Sequence, residues 1–346
     1  MIITRTPFRI TLGGGGTDLP SYYEEHGGRV FTMAIDKFMF IMLHHLPATE
    51  RKSIIRYSQV EVVSSADEIK HPLAREALAL HGMRDYIELT SMADMPAKTG
   101  LGSSGSYLVG LLNAIRAYKC NPASPAALAE EACHIEMDIL KEPVGKQDQY
   151  IAAFGGFQLL DIDRAGKVTV TPVPIDFMTA NELVTKARVY YTGIQRSATA
   201  VLKGQDRAAR EKEAPDHRRV VDCLSRIKEI GADIKAAFEN GDLDRFGVLL
   251  DQHWEAKRSM SGRVSLSVLD DLYVRVKKDF GVLGGKIIGA GGGGFMMLYC
   301  RENGRELDAF MAAHDMPRIS YFPCMQGSRV VADWSSHDDY ETNMPR

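Results

Sequence analysis

The stretch Asp94–Ser106, DMPAKTGLGSSGS, decides the fold of this chain. Its three glycines, Gly100, Gly102 and Gly105, let the backbone wrap closely around an anion because they carry no Cβ. Apolar residues follow at helical spacing, so the sequence predicts a helix over residues 104–118 that begins at this loop. A helix N-terminus presents unbonded N–H groups and the positive end of its dipole, which favours the phosphate chain of a nucleotide as the occupant.

The loop alone leaves other interpretations open. Its G-x-G-x-x-G spacing satisfies a dinucleotide fingerprint, but that fingerprint needs an acidic residue after a second strand, and here another helix follows. A Walker A loop needs Gly-Lys followed by serine or threonine, whereas Gly285-Lys286 is followed by Ile287. A helix N-cap built only of serine and glycine is the third interpretation.

Composition bounds the class of protein. A chain of 346 residues exceeds one ordinary core, so two domains are expected, over residues 1–190 and 191–346. The net charge of −3 argues against nucleic acid or an anionic membrane as the main partner, and the sequence contains no apolar run long enough to span a membrane. Five cysteines without a C-x-x-C pair are typical of a reducing cytoplasm.

Strands and helices are mixed in both halves, which indicates an α+β protein rather than a repeating parallel βαβ sheet. Strands are predicted at 30–43 (a pair broken near 36–37), 53–63, 86–90, 157–162, 168–173, 189–192, 295–300 and 319–322. Helices are predicted at 72–81, 104–118, 125–141, 206–230, 242–260, 266–280 and 304–314. The N-cap Ser124 with Pro125 in the first turn supports the third of these helices.

Two further glycine clusters flank this pattern. Gly13–Gly16 follow a strand and lead into Thr17 and Asp18, and the string KIIGAGGGG ends at Gly294. Consecutive glycines indicate close backbone approach or dihedral angles that other residues cannot reach, although a flexible turn is an alternative for the first cluster. Asp18 is a good acceptor for a sugar hydroxyl.

Two acidic residues are candidates for catalysis or metal binding. Asp148 lies in the polar segment GKQDQY and could accept a proton from an attacking hydroxyl, or else cap a helix. Glu136 borders the apolar face of the predicted helix 125–141, where it could be a metal ligand or a solvated glutamate.

Together these motifs resemble the GHMP kinases of galactose, homoserine, mevalonate and phosphomevalonate. The order fits: TPFRITLGGGGTDLP comes first, PAKTGLGSSGS is central, and KIIGAGGGGFMML is C-terminal. The resemblance implies a two-domain fold, with an N-terminal half like domain 2 of ribosomal protein S5 and a C-terminal ferredoxin-like plait. It implies ATP and Mg²⁺ in the cleft between the halves.

The resemblance also implies roles for individual residues. The phosphate-binding loop would be Gly100, Leu101, Gly102, Ser103, Ser104 and Gly105. Ser104 and Glu136 would hold Mg²⁺, Asp148 would be the catalytic aspartate, and Arg9 would be the basic residue beside it. Substrate-binding positions would be Gly14, Gly15, Gly16, Thr17, Asp18, Gly291 and Gly292. A phosphate on the substrate would also need cations, and Arg196 is the candidate, with Lys98 and Arg75 as weaker ones; ordinary surface residues are the alternative for all three.

Shorter segments, including GGGGTDLP, GKQDQYIAAFGGF and YYTGIQRSA, resemble the heptose kinase branch. That branch implies phosphorylation of D-glycero-D-manno-heptose 7-phosphate at its anomeric hydroxyl, to give the 1,7-bisphosphate for GDP-heptose and surface polysaccharide synthesis. Gly15-Gly16 stand where galactokinase-like members carry Glu-His, which argues against plain galactose. An L-fucose or other sugar-1-kinase, a sensor without turnover and an oxidoreductase are the alternatives, and a homodimer is left open.

Overall fold

A computed structural model describes residues 1–46, 52–83, 86–97, 99–194, 198–260, 267–289, 291 and 293–334. The strands are β1 (Ile2–Gly13), β2 (Gly28–His45), β3 (Ser53–Arg56), β4 (Val60–Val63), β5 (Ile87–Ala93), β6 (Phe157–Ile162), β7 (Val168–Pro172), β8 (Ala187–Tyr191), β9 (Val282–Ile287), β10 (Phe295–Cys300), β11 (Arg318–Ile319) and β12 (Arg329–Asp333). The α-helices are α1 (Pro20–His26), α2 (Pro72–Leu80), α3 (Ser103–Tyr118), α4 (Pro125–Cys133), α5 (Gln147–Phe154), α6 (Phe177–Lys186), α7 (Ala198–Arg210), α8 (His217–Glu239), α9 (Leu243–Met260), α10 (Ser267–Phe280) and α11 (Gly304–Ala312). A 3₁₀ helix (Ala66–Glu68) and a π-helix (His134–Ile139) are also present.

The first sheet has eight strands. Its order is β12-β1-β2-β5-β3-β4, with β6 paired to β2 and β7 paired to β6. The pair β3 and β5 is parallel, and the other pairs are antiparallel. α3 packs against β1 and β2 and buries Leu108, Leu111, Leu112 and Ile115, as their helical spacing predicts. The glycine loop that precedes α3 is therefore held against β1.

Two strand predictions are corrected. The sequence predicts a break near residues 36–37, but β2 is one strand, and its register against β1 shifts at Asp36 and Lys37. This is a β-bulge, in which extra residues bend a strand without ending it. Residues 53–63, predicted as one strand, form β3 and β4, which pair as an antiparallel hairpin.

Two helix predictions are also corrected. Residues 206–230 belong to α7 and α8, which are separated by residues 211–216. Pro215 lies in that break, where it cannot donate a backbone hydrogen bond and disfavours a helical residue before it. The helix predicted over 125–141 ends as an α-helix at Cys133 and continues as the π-helix, a form found frequently at functional sites.

The second sheet has four antiparallel strands in the order β11-β8-β10-β9. α9 packs on β9 and on α8, and Trp254, Tyr190 and Tyr299 are fully buried in this half. The division between residues 190 and 191 remains a prediction. By pairing, β8 lies in the second sheet, whereas β12, near the end of the described chain, lies in the first.

A helix that spans a bilayer needs about 20 consecutive, mostly apolar residues. Across the residues described above, no helix is both long enough and apolar enough to cross a membrane.

Candidate active site

A cavity of about 330 Å³ lies where the glycine loop before α3 meets α5, α9 and β9. Small-molecule sites in proteins commonly have volumes of several hundred Å³. Sequence-predicted residues that line this cavity are Arg9, Gly15, Gly16, Asp18, Gly100, Gly102, Ser103, Ser104, Glu136 and Asp148. The fold therefore brings three separate motifs to one space.

The glycine loop has the geometry of an anion site. Gly102 is the N-cap of α3 and has a left-handed backbone, with φ +80°. Gly100 also has a positive φ, and a Cβ there would lie 2.4 Å from Ile288 O in the second half of the molecule. The loop thus needs glycine at both positions, and it places Ser103 and Ser104 in the first turn of α3 at the cavity wall.

The other two loop positions have supporting roles. Leu101 is buried, and its side chain belongs to the core. A Cβ at Gly105 would lie 2.8 Å from Asp148 Cβ, so the glycine allows α3 and α5 to pack at close range. Gly105 therefore positions Asp148 rather than lining the cavity.

Arg9 and Asp148 form an ion pair beside the loop. Arg9 Nε donates to Asp148 Oδ1 at 2.7 Å, and Arg9 Nη1 donates to Gly100 O. Arg9 is almost fully buried on β1, whereas Asp148 is partly exposed in the first turn of α5. The pair fixes a carboxylate next to the N-terminus of α3, where an acceptor hydroxyl and a phosphate chain could meet.

Asp18 lies in the turn after β1. It accepts hydrogen bonds from Gly16 N and Gln147 N, both at 3.1 Å, and from Gln147 Nε2 at 3.3 Å. Burial raises the pKa of Asp18, and the charge of Asp148 adds to the rise. Thr11 Oγ1 donates to Gln147 Oε1 at 2.6 Å, so a polar network connects β1 to α5.

The remaining predicted residues of this turn support its backbone. Thr17 Oγ1 donates to Gly14 O and Arg29 O, and a Cβ at Gly14 would lie 2.0 Å from Arg29 O. Gly13 contacts Gly231 of α8, where an added Cβ would meet the helix backbone at 2.7 Å. Close approach, the first interpretation of this glycine cluster, therefore describes the turn.

Glu136 lies in the π-helix and is buried at the cavity wall. Gln149 Nε2 donates to Glu136 Oε2 at 2.5 Å, and Ser104 also hydrogen-bonds to this carboxylate. Burial raises the pKa of Glu136 to about 7. One carboxylate and one hydroxyl fit Mg²⁺, which commonly binds one or two carboxylates together with substrate phosphates. The described residues contain no cluster of three or more acidic, histidine or cysteine ligands.

Two family profiles match the sequence. The GHMP kinases N terminal domain matches residues 67–156, and the GHMP kinases C terminal matches residues 234–313. The chain belongs to the GHMP kinases. Members of this family use ATP as the phosphate donor.

Individual relatives of this GHMP kinase extend over most of its length. A D-glycero-alpha-D-manno-heptose 7-phosphate kinase of Campylobacter jejuni is 27% identical over 311 residues, which cover 86% of this chain and 89% of the relative. An L-fucokinase/L-fucose-1-P guanylyltransferase of Bacteroides fragilis is 26% identical, with 86% and 34% covered. The structure of a D-glycero-D-manno-heptose 1-phosphate kinase of Bacteroides thetaiotaomicron matches with a TM-score of 0.77 at 20% identity, covering 97% of this chain and 100% of that one. The predicted two-domain α+β GHMP kinase fold is confirmed.

Sequence reasoning missed four residues of this GHMP kinase site. Gln205, His253, Lys257 and Lys286 line the same cavity, and all four are buried. A signal existed on α9: His253 and Lys257 continue the buried face of Phe246 and Leu250 at spacings of three and four residues. A lysine on the apolar face of a helix indicates a site more strongly than a lysine on the solvated face.

Several predicted residues lie elsewhere or outside the described chain. Arg196, Gly292 and Lys98 fall outside the described residues. Gly291 is described but does not line the cavity, and neither does Arg75, which donates to Glu76 and to Ile69 O. The cytoplasmic location and the homodimer remain predictions.

Proposed function

We propose that this GHMP kinase transfers the γ-phosphoryl group of ATP to the anomeric hydroxyl of D-glycero-D-manno-heptose 7-phosphate. The observation that carries the proposal is the Arg9–Asp148 pair, held at 2.7 Å beside the N-terminus of α3. The Campylobacter jejuni relative supports the choice of sugar. The product would be the 1,7-bisphosphate, a precursor for GDP-heptose and surface polysaccharide synthesis.

The nucleotide phosphates would bind at the glycine loop. Gly102, Ser103 and Ser104 present backbone N–H groups and hydroxyls at the start of α3, and the helix dipole favours negative charge there. Glu136 and Ser104 would hold Mg²⁺, which when bound neutralises charge on the phosphates. Gln149 fixes the Glu136 carboxylate through its hydrogen bond.

Asp148 would accept the proton of the attacking hydroxyl. Its Oδ1 is occupied by Arg9 Nε, so the carboxylate orientation is fixed before the substrate binds. Arg9 also donates to Gly100 O, which ties the base to the glycine loop. Arg9 would draw charge from the transferring phosphoryl group as it develops. An anomeric hydroxyl is more acidic than an ordinary alcohol, so a modestly basic carboxylate suffices.

Asp18 and the neighbouring glycines would hold the sugar. The Asp18 carboxylate is fixed by Gln147 and Gly16 at the cavity wall. Gly15 and Gly16 bring no side chains to this wall, so they leave room for an acceptor larger than a hexose. A phosphorylated heptose suits that opening.

The proposal is tested by measuring ADP release with a panel of acceptors: heptose 7-phosphate, unphosphorylated heptose, L-fucose and D-galactose. The expected result is the highest kcat/KM for heptose 7-phosphate, with the new phosphate on C1 by phosphorus NMR. Equal or higher kcat/KM for an unphosphorylated sugar would contradict the assignment.

An L-fucose-1-kinase is the second candidate. The Bacteroides fragilis relative, named for an L-fucokinase activity, matches 86% of this chain at 26% identity. The same panel separates the two, because a fucokinase would turn over L-fucose and gain nothing from a phosphate on the acceptor.

A further inference from the structure

Two buried lysines line the cavity. Lys257 on α9 and Lys286 on β9 are 6% and 3% exposed. Each donates to a main-chain carbonyl: Lys257 Nζ to Gly289 O, and Lys286 Nζ to Leu12 O at 2.9 Å. Among the residues with described positions, neither lysine forms an ion pair with a carboxylate. Buried charges are ordinarily paired, so this arrangement lacks an anion.

The pKa values of the two lysines are consistent with a missing anion. Burial lowers the pKa of Lys257 to about 8, with a further contribution from Arg9. The pKa of Lys286 is also lowered, by burial and by repulsion from Lys257 and Arg9. Arg9 is already paired with Asp148. Lys257 and Lys286 are therefore the two cavity cations without a bonded carboxylate in the described part of the chain, and only the charge of Asp18 partly offsets the lowered pKa of Lys257. A bound dianion would relieve this repulsion.

Two neutral polar groups beside the lysines are also unsatisfied. His253 is 1% exposed, and both of its ring nitrogens lack a hydrogen-bond partner within the described chain. Gln205 on α7 is 5% exposed, and its Nε2 lacks one as well. Buried polar groups are nearly always hydrogen-bonded, so two such groups on one cavity wall indicate a missing ligand. We name Gln205, His253, Lys257 and Lys286 the lysine wall.

The lysine wall borders the turn that is proposed to hold the sugar. Lys286 holds Leu12 O, which immediately precedes the turn Gly13–Asp18, and Lys257 interacts electrostatically with Asp18. The site proposed for the nucleotide phosphates is at the start of α3, which is not one of the elements that carry the lysine wall. We infer that the lysine wall is a second anion subsite, which binds the phosphate group carried by the acceptor sugar. This inference rests on the proposed function for the identity of the sugar but not for the presence of the subsite.

The chemistry of the wall fits a phosphate monoester. Two ammonium groups, one amide N–H₂ and one imidazole N–H offer donors from several directions to a dianion with three terminal oxygens. A phosphate of the nucleotide has the same chemistry, so an experiment must separate the two sources.

The first experiment compares kinetic constants of Lys257→Met with those of wild type. Methionine keeps the length and apolar character of the lysine stem and removes the charge. We expect KM for heptose 7-phosphate to rise roughly 10- to 100-fold, as for loss of a hydrogen bond to a charged group. KM for ATP, and kcat/KM for unphosphorylated heptose, should change less than about twofold. A rise in KM for ATP with no change for the phosphorylated sugar would overturn the inference and assign the wall to the nucleotide.

Lys228→Met is the matched control. Lys228 Nζ also donates to main-chain carbonyls, those of His26 and Gly27 at 2.8 Å, but it lies outside this cavity. Its substitution should leave all these constants unchanged. An equal rise in KM for heptose 7-phosphate in Lys228→Met would mean that any lost lysine has this effect, which overturns the assignment to the wall.

The second experiment measures binding without turnover. Inorganic phosphate is titrated calorimetrically into protein saturated with Mg²⁺ and a non-hydrolysable ATP analogue, so that the glycine loop is already filled. Wild type and Lys228→Met should bind phosphate, and Lys257→Met and Lys286→Met should bind it at least about tenfold more weakly. Equal affinity in all four proteins would overturn the subsite.

The two experiments distinguish failure of the subsite from failure of the proposed function. If heptose 7-phosphate is not a substrate but phosphate binding still depends on Lys257, the subsite stands and another phosphorylated acceptor must be sought. If heptose 7-phosphate is turned over and neither its KM nor phosphate binding depends on Lys257, the function stands and the subsite is wrong.

Discussion

The two walls of the cavity differ in how their charges are satisfied. At the glycine loop, Asp148 is paired with Arg9 and Glu136 is hydrogen-bonded by Gln149. In the lysine wall, the two ammonium groups donate hydrogen bonds only to main-chain carbonyls. His253 has no hydrogen-bond partner among the described residues. The first wall is organised before any ligand arrives, whereas the second is completed by one. We therefore assign the orientation of the reacting groups to the wall at the glycine loop, and recognition of the acceptor's phosphate to the lysine wall.

The largest effect is expected from a substitution in the organised wall, the side of the cavity formed by Arg9, Asp148 and Glu136 with its partner Gln149. Asp148→Asn removes the proposed base while keeping the size of the side chain, so kcat should fall roughly 10²- to 10⁴-fold. The affinity for a non-hydrolysable ATP analogue should stay nearly constant, because the nucleotide would bind through the glycine loop. Steady-state kinetics and calorimetric titration check both values. A kcat near that of wild type would remove Asp148 from the mechanism.

The second prediction uses the pKa of Glu136, which is raised from 4.5 to about 7 in the folded protein. A raised carboxyl pKa favours folding below about pH 4.5, and this contribution is lost as pH rises to about 7. Above that, wild type carries a buried charge that Glu136→Gln lacks. The variant should therefore be more stable by up to about 3 kcal/mol at pH 8, and by almost nothing at pH 4.5.

Urea unfolding without nucleotide or Mg²⁺ measures this difference at both pH values. Glu24→Gln, a change at an exposed glutamate of α1, is the control and should show no such pH dependence. If the stability difference for Glu136→Gln were the same at both pH values, the carboxylate would not carry the burial penalty.

The third prediction tests how closely the organised wall is packed. An alanine Cβ at Gly105 would lie 2.8 Å from Asp148 Cβ and 2.9 Å from Asp148 C, so α5 would have to move. A displacement of about 1 Å at a reacting group can cost on the order of 100-fold, and we expect Gly105→Ala to lower kcat roughly 10- to 100-fold.

Gly204→Ala on α7 is the matched control, because a Cβ there meets nothing within 4 Å. It should leave kcat unchanged and stabilise the helix by about 0.5–1 kcal/mol. If both alanine variants kept wild-type kcat, the spacing between α3 and α5 would not position Asp148.

The smallest expected effect is the change in stability of the ligand-free protein when Lys257 of the lysine wall is replaced. Burial lowers the pKa of Lys257 from 10.5 to about 8, so the charged lysine destabilises the fold below about pH 8, and this penalty disappears above about pH 10.5. Lys257→Met removes the charge but leaves Gly289 O without its donor, which offsets part of the gain. We expect a net stabilisation of about 1 kcal/mol at pH 7.

Unfolding by urea at pH 7 and pH 10 tests this sign. The gain should shrink at the higher pH, and the exposed Lys278→Met should change stability at neither pH. A loss of stability at pH 7 would indicate that Lys257 supports the fold rather than a ligand.

The sequence predicted the organised wall better than the lysine wall. The start of α3 follows from glycine conformation and helical spacing, both local properties, and the pairing of Arg9 with Asp148 was anticipated from family resemblance. The lysine wall combines α7, α9 and β9, and no local pattern reports that these elements meet. The bulge at Asp36 was missed for a similar reason, since its carboxylate accepts from the distant Phe322 N.

The strand β12 gives the end of the described chain a part in the site. It pairs with Ile2–Arg5 of β1, the strand that carries Arg9 a few residues further on. Proteolytic removal of the chain from Arg329 onward would leave β1 at the edge of the sheet, paired only with β2, and Arg9, which orients Asp148, would lie on a less supported strand. A fusion partner for purification is therefore better attached through a linker that leaves this strand undisturbed.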